Sequence, residues 1–83
     1  METIMKKIAA ISTILADPAK TQTQFNSVVS DFQDIVRGRL GCPFEDERIA
    51  AICIIAYAEE DKLNAFNDML SAIDGATVNT VIH

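Results

Sequence analysis

The chain has 83 residues, is 49% hydrophobic with no tryptophan, and carries a formal net charge of −5. A chain this short reads as one domain over residues 1–83, burying roughly 60–65% of its unfolded surface, so its core is marginal and oligomerisation is a natural supplement. The acidic balance disfavours binding of DNA or RNA by this chain alone, which needs clustered Lys and Arg, and no uncharged stretch approaches the roughly 18–20 residues that cross a membrane.

Residues 4–16 read as the first strand. Ile8, Ile11, Ile14 and Leu15 do not alternate cleanly with polar residues, so both faces of this strand are expected to be buried. Lys6-Lys7 before an apolar run invites comparison with a signal peptide. Ser12 and Thr13 interrupt that run, and the motif returns mid-chain, where a signal peptide cannot lie. Asp17 makes a good helix N-cap with Pro18 at the first helical position. Phe25, Val28, Val29 and Phe32 then fall at helical spacing on one face, with the helix ending near Gln33.

Asp34–Leu40 reads as a second strand, a half-exposed edge with Ile35, Arg37 and Arg39 on one face. Gly41 to Asp46 reads as the connector, short enough for a hairpin. Arg48–Ala58 is the third strand, again without a polar face. Glu59, Glu60 and Asp61 open a second helix, where acids complement the helix dipole. Leu63, Phe66, Leu70 and Ile73 line its buried side, with Gly75 as its C-cap. Ala76–Ile82 is the last strand, with Val78, Thr80 and Ile82 on one face.

Within this order lies a repeat. Lys7-Ile8-Ala9-Ala10-Ile11 returns as Arg48-Ile49-Ala50-Ala51-Ile52, 41 residues later. Two β-α-β halves with right-handed crossovers predict an α+β, ferredoxin-like βαββαβ fold. Its antiparallel sheet has the order 4-1-3-2, with both helices on one face. Helices on a single face leave the other face of the apolar central strands without cover. The chain's expected partner is therefore itself, as a homodimer or tetramer through the open sheet face or the edge strands.

No catalytic constellation is present. His83 stands alone at the end, where a frayed terminus explains it better than a metal ligand. Cys42 lacks a His base. Cys53 lies in an apolar run, and free thiols of this kind point to a cytoplasmic protein. The acidic clusters are accounted for by capping and solvation. The chain is expected to be no enzyme and to need no metal or cofactor; a small monooxygenase on this fold would require a polar, His-bearing cavity. The least bland segment is Asp34-Ile35-Val36-Arg37-Gly38-Arg39-Leu40-Gly41-Cys42-Pro43-Phe44. Two arginines at i, i+2 on a regular strand point the same way and suit a small anionic effector or an acidic neighbouring subunit. The plain alternative is an edge strand kept soluble by charge. Asp17, Arg37 and Arg39 are the candidate ligand-binding residues, with the helix N-terminus beside Asp17 offering N–H donors.

The opening Lys-Lys-Ile-Ala-Ala-Ile and the stretch Asp34–Phe44 resemble the small proteins described as regulators of the iron-only hydrogenase system. The apolar third strand and Gly75-Ala76-Thr77-Val78 share that likeness, which runs over essentially the whole chain. The resemblance implies an ACT-like domain related to the ligand-binding domain of the nickel-responsive repressor, with a role in transcription regulation or small-molecule sensing. Cys42 departs from the usual aliphatic residue, and the chain lacks the His/Cys set of a nickel sensor. The competing reading is an oligomerisation or interaction module without a ligand.

Overall fold

The computed structural model describes residues 5–83; Ile4, expected to open the first strand, lies outside them. The elements run β1 (Lys6–Ala16), α1 (Pro18–Asp31), β2 (Val36–Phe44), β3 (Ile49–Glu59), α2 (Glu60–Ser71) and β4 (Ala76–Ile82). Short 3-10 turns at Gln33–Ile35 and Glu45–Glu47 lead into β2 and β3. The four strands form one antiparallel sheet in the order β2-β3-β1-β4, as expected from two β-α-β halves.

The core lies between the sheet and the two helices. Ala9, Ile11 and Leu15 of β1 and Ile52, Ile54, Ala56 and Ala58 of β3 meet Phe25, Val28 and Val29 of α1 and Leu63, Phe66 and Leu70 of α2. Phe32 stacks on Phe66 at 4.7 Å between ring centroids. Thr13 is the odd member. It is 1% exposed on the same face as Ile11 and Leu15, and its Oγ1 has no hydrogen-bond partner among the described residues. A buried hydroxyl without a partner forfeits about 1–3 kcal/mol of solvation. Thr13→Val keeps the shape and is expected to raise stability by about 1 kcal/mol in urea unfolding.

Within the single chain the central strands are buried on one face only, so burial of both faces, expected from sequence, would need a second copy on the open face. Burial in β1 and β3 alternates residue by residue. The period of two puts Ile8, Ala10, Ser12 and Ile14 opposite the core, paired across to Tyr57, Ile55, Cys53 and Ala51. Apolar composition on that face does not bring burial, because both helices cover the other.

Three expectations are corrected. Asp17 does precede α1, but its side chain makes no cap hydrogen bond. Its backbone is left-handed (φ 51°, ψ 66°), and its carbonyl accepts the N–H groups of Lys20 and Thr21 at 2.9 and 3.1 Å. The carboxylate instead lies 3.8 Å from Lys20 Nζ. Second, the chain does not leave the sheet at Gly41. β2 continues through Cys42 and Pro43 to Phe44, which an edge strand permits because its outer N–H side needs no partner. Third, Gly75 is not the cap of α2, which ends at Ser71 with Ala72 following in helical conformation. Gly75 turns the chain into β4 with φ 95°, and its carbonyl accepts from Ala16 N at 2.8 Å.

Candidate functional site

A β-bulge decides what β2 presents to each side. Val36 pairs with Ala56 and Gly38 with Ile55, so Arg37 is an extra residue in the ladder. Arg37 therefore does not point the same way as Arg39. Its guanidinium lies 5.0 Å over the ring of Tyr57, on the open face of the sheet. Arg39, opposite Ile54, points to the helix side. There it donates from Nη2 to Asn26 Oδ1 at 2.8 Å and lies 5.3 Å over the Phe25 ring.

Beyond Arg39 the helix side of β2 loses its cover. Gly41 pairs with Ile52 and Pro43 with Ala50, both facing the helices, yet Gly41 and Pro43 are exposed. A cavity of about 700 Å³ opens there, a size typical of small-molecule sites. Asp17, Pro18, Ala19 and Gln22 form one wall at the start of α1. Arg39, Gly41 and Pro43 of β2 face Ala50 and Ile52 of β3, and Glu45 and Arg48 close the end toward the connector. The structure thus brings Asp17 and Arg39 together and leaves Arg37 on the other face.

The cavity's backbone is strained. Asp17 (φ 51°) and Arg48 (φ 55°) are the two non-glycine residues with positive φ among those described, and both line it. They are joined directly, Asp17 N–H donating to the Arg48 carbonyl at 3.0 Å. Left-handed non-glycine residues cost about 1–3 kcal/mol each and cluster at ligand clamps. The N-terminus of α1 contributes less than the sequence suggests. Pro18 has no N–H and the Asp17 carbonyl takes those of Lys20 and Thr21, leaving the Ala19 amide of the first turn without a backbone partner. Among the described residues, neither Arg39 nor Arg48 has a carboxylate within salt-bridge distance. Nor do three or more His, Cys, Asp or Glu come together there as a metal set.

The 41-residue repeat explains why the cavity exists. Asn26 and Arg39 correspond to Asn67 and Thr80, and that pair also hydrogen-bonds, Thr80 Oγ1 to Asn67 Oδ1 at 2.7 Å. Phe25 corresponds in turn to Phe66. In the ladder, however, β2 is shifted by two residues against this offset: Gly41 pairs with Ile52, whose repeat mate Ile11 pairs with Thr80. A Cβ built on Gly41 would meet nothing within 4 Å. The first half therefore has no side chain at the place where the second has Thr80, bonded to Asn67. Gln22, Gly41 and Arg48 were not singled out from sequence as site residues.

The fold defines an ACT-like domain of the ferredoxin-like class with a cavity between its first helix and its edge strand. The chain belongs to the family described as "TM1266-like: Iron-only hydrogenase system regulator, putative", whose model matches residues 7–80. Among solved structures it is similar to the uncharacterized protein TM1266 from Thermotoga maritima, with 26% identity and a TM-score of 0.89 over 93% of this chain and 96% of that one. The ACT domain from GTP pyrophosphokinase of Chlorobium tepidum superposes with a TM-score of 0.78 at 23% identity, covering 93% of this chain and all of that one (100%). The C-terminal domain of the MgtC protein from Mycobacterium tuberculosis gives 0.64 at 17% identity, covering 100% of this chain and 94% of that one. These last two likenesses concern the fold alone. None of the curated proteins matches the chain. Among the described residues no helix is long and apolar enough to cross a membrane.

Proposed function

We propose that this chain is a non-enzymatic, cytoplasmic regulatory domain that senses a small organic anion in the cavity between α1 and β2. The observation that carries this reading is the pair Arg39 and Arg48, set around an apolar floor of Ala50 and Ile52 without carboxylate partners among the described residues. Arg39 lines the cavity and is held by Asn26 and Phe25, so its guanidinium is already oriented there. The family description supports a regulatory role, and the two free cysteines suit a reducing compartment. Asp17 acts here through its strained backbone, which sets the start of α1 against Arg48. Arg37 takes no part in this site.

A thermal-shift panel of small carboxylic acids, inorganic phosphate and nucleotides tests the reading. A true ligand at 100 times its Kd stabilises the folded chain by about 2.7 kcal/mol. Gly41→Ile is expected to abolish that shift while leaving the unliganded protein at least as stable, since the site is open and β-branched residues suit an edge strand. Arg39→Ala should weaken it strongly. A shift that survives Gly41→Ile sinks the cavity as the binding site. The second reading, an assembly module without a ligand, is favoured by the apolar open face of the sheet; silence across the whole panel would favour it.

A further inference from the structure

The open face of the sheet is too apolar and too regular to be a solvated surface. Of the nine exposed large hydrophobic side chains among the described residues, seven lie on it: Ile8, Ile14, Leu40, Phe44, Ile55, Tyr57 and Val81. Between Ile8 and Ala16 on β1, and between Ile49 and Tyr57 on β3, no position on this face carries a charge. The first strand of the repeat places Ala10 beside Ile55, and the second places Ala51 beside Ile14. The face is therefore a checkerboard of two ridges and two hollows related by the chain's own pseudo-two-fold axis. Such a surface is complementary to itself, because turning a copy over sets ridge against hollow.

We propose that a second copy of this chain covers the open face, with the two sheets packed face to face and the strands of one running antiparallel to those of the other. Two in-plane two-fold axes would satisfy the ridges and hollows, and the outer strands decide between them. An axis along the strands lays β2 on β4 of the partner and puts Leu40, 72% exposed, against the polar position of Asn79. An axis across the strands lays β2 on β2 and puts Leu40 on its own mate. The same axis brings the Arg37 and Lys6 end of one copy, both over Tyr57, to the Phe44 and Glu45–Glu47 end of the other. Leu40 meets an apolar mate only in that arrangement; a cation meets an acid about either axis, since the axis along the strands lays Lys6 on the partner's Glu59. The bulge is what makes it work, because a regular ladder would have sent Arg37 to the helix side.

The area is sufficient. Four strands of about nine residues at about 3.3 Å per residue and about 4.8 Å between strands present about 600 Å² per copy. Two such faces give about 1,200 Å², at the lower limit of stable protein interfaces. The face stands apart from the cavity, so this proposal and the ligand reading fail independently.

Cross-linking and mass together provide the test. In a Cys42→Ser, Cys53→Ser background, Leu40→Cys alone and Asn79→Cys alone should each be joined into covalent dimers by a short bismaleimide. Light scattering should give the mass of two or more chains at micromolar concentration. Ile55→Arg should raise the dissociation constant about tenfold or more with the circular dichroism spectrum unchanged, since residue 55 is outside the core. Arg37→Glu should weaken association, and Glu45→Arg added to it should restore part of the loss. A wild-type monomer overturns the proposal. So does cross-linking only in mixtures of the two cysteine variants, which indicates the axis along the strands. A dimer that ignores Ile55→Arg and the single cysteines pairs through an edge strand, and equally overturns it.

Discussion

Phe66→Ala is expected to bring this domain to the edge of unfolding. Phe66 has no solvent exposure and sits where α2 meets α1, stacked on Phe32 with the rings inclined by 24°. Truncating a buried phenylalanine costs about 3–5 kcal/mol through lost transfer energy and the cavity left behind. The stacked pair adds about 0.5–1.5 kcal/mol, which disappears with it. Total stability for a domain of ordinary size is about 5–15 kcal/mol, and a short chain stands at the lower end. The prediction is a fall of about 3–5 kcal/mol in urea unfolding, with the midpoint lowered and the slope retained. A loss below about 1 kcal/mol, smaller than any typical for this truncation, would mean that the two helices do not share one packed core.

The second large effect is at Gly75. Its φ of 95° lies where side chains are strained, and a Cβ there would come within 3.0 Å of Thr21 Cγ2 and 3.3 Å of the Ala16 carbonyl. Thr21 is no idle neighbour: its hydroxyl bonds the carbonyls of Ala16 and Asp17 at 3.1 and 3.2 Å, tying the end of β1 to α1. Gly75→Val adds backbone strain of about 1–3 kcal/mol and pushes on that tie, worth about 1 kcal/mol more. A domain of this size loses roughly 4–8 °C in Tm per kcal/mol. A drop of 10 °C or more by calorimetry is the expected result, on the same scale. The two glycines thus behave oppositely: the same change at Gly41 enters empty space and leaves the fold intact.

The fold was legible because its signals are periodic. The twin Ile-Ala-Ala-Ile runs located β1 and β3. The spacing of Phe25, Val28 and Val29 and of Leu63, Phe66 and Leu70 gave the helix faces, and the alternation in β4 gave its limits, Ala76–Ile82. What could not be read was local backbone geometry. Nothing in Val36-Arg37-Gly38 announces a bulge, so a period of two wrongly placed both arginines on one face. Pro43 reads as a strand breaker, and only its position on an edge makes it a strand residue. Asp17 has the composition of a side-chain cap, but the turn from β1 into α1 requires a left-handed residue there, and its carboxylate makes no cap bond. The cavity depends on a missing side chain at Gly41, and an absence carries no periodic signal.

The duplication has a last consequence, for counting. Both halves retain the bond from a helix asparagine to the strand, Asn26 with Arg39 and Asn67 with Thr80, but the ladder position that Thr80 fills in one half is bare at Gly41 in the other. Two halves alike in backbone are therefore unequal in capacity. A titration would reach its end point at one equivalent per chain, with the internal symmetry of the fold invisible in the stoichiometry.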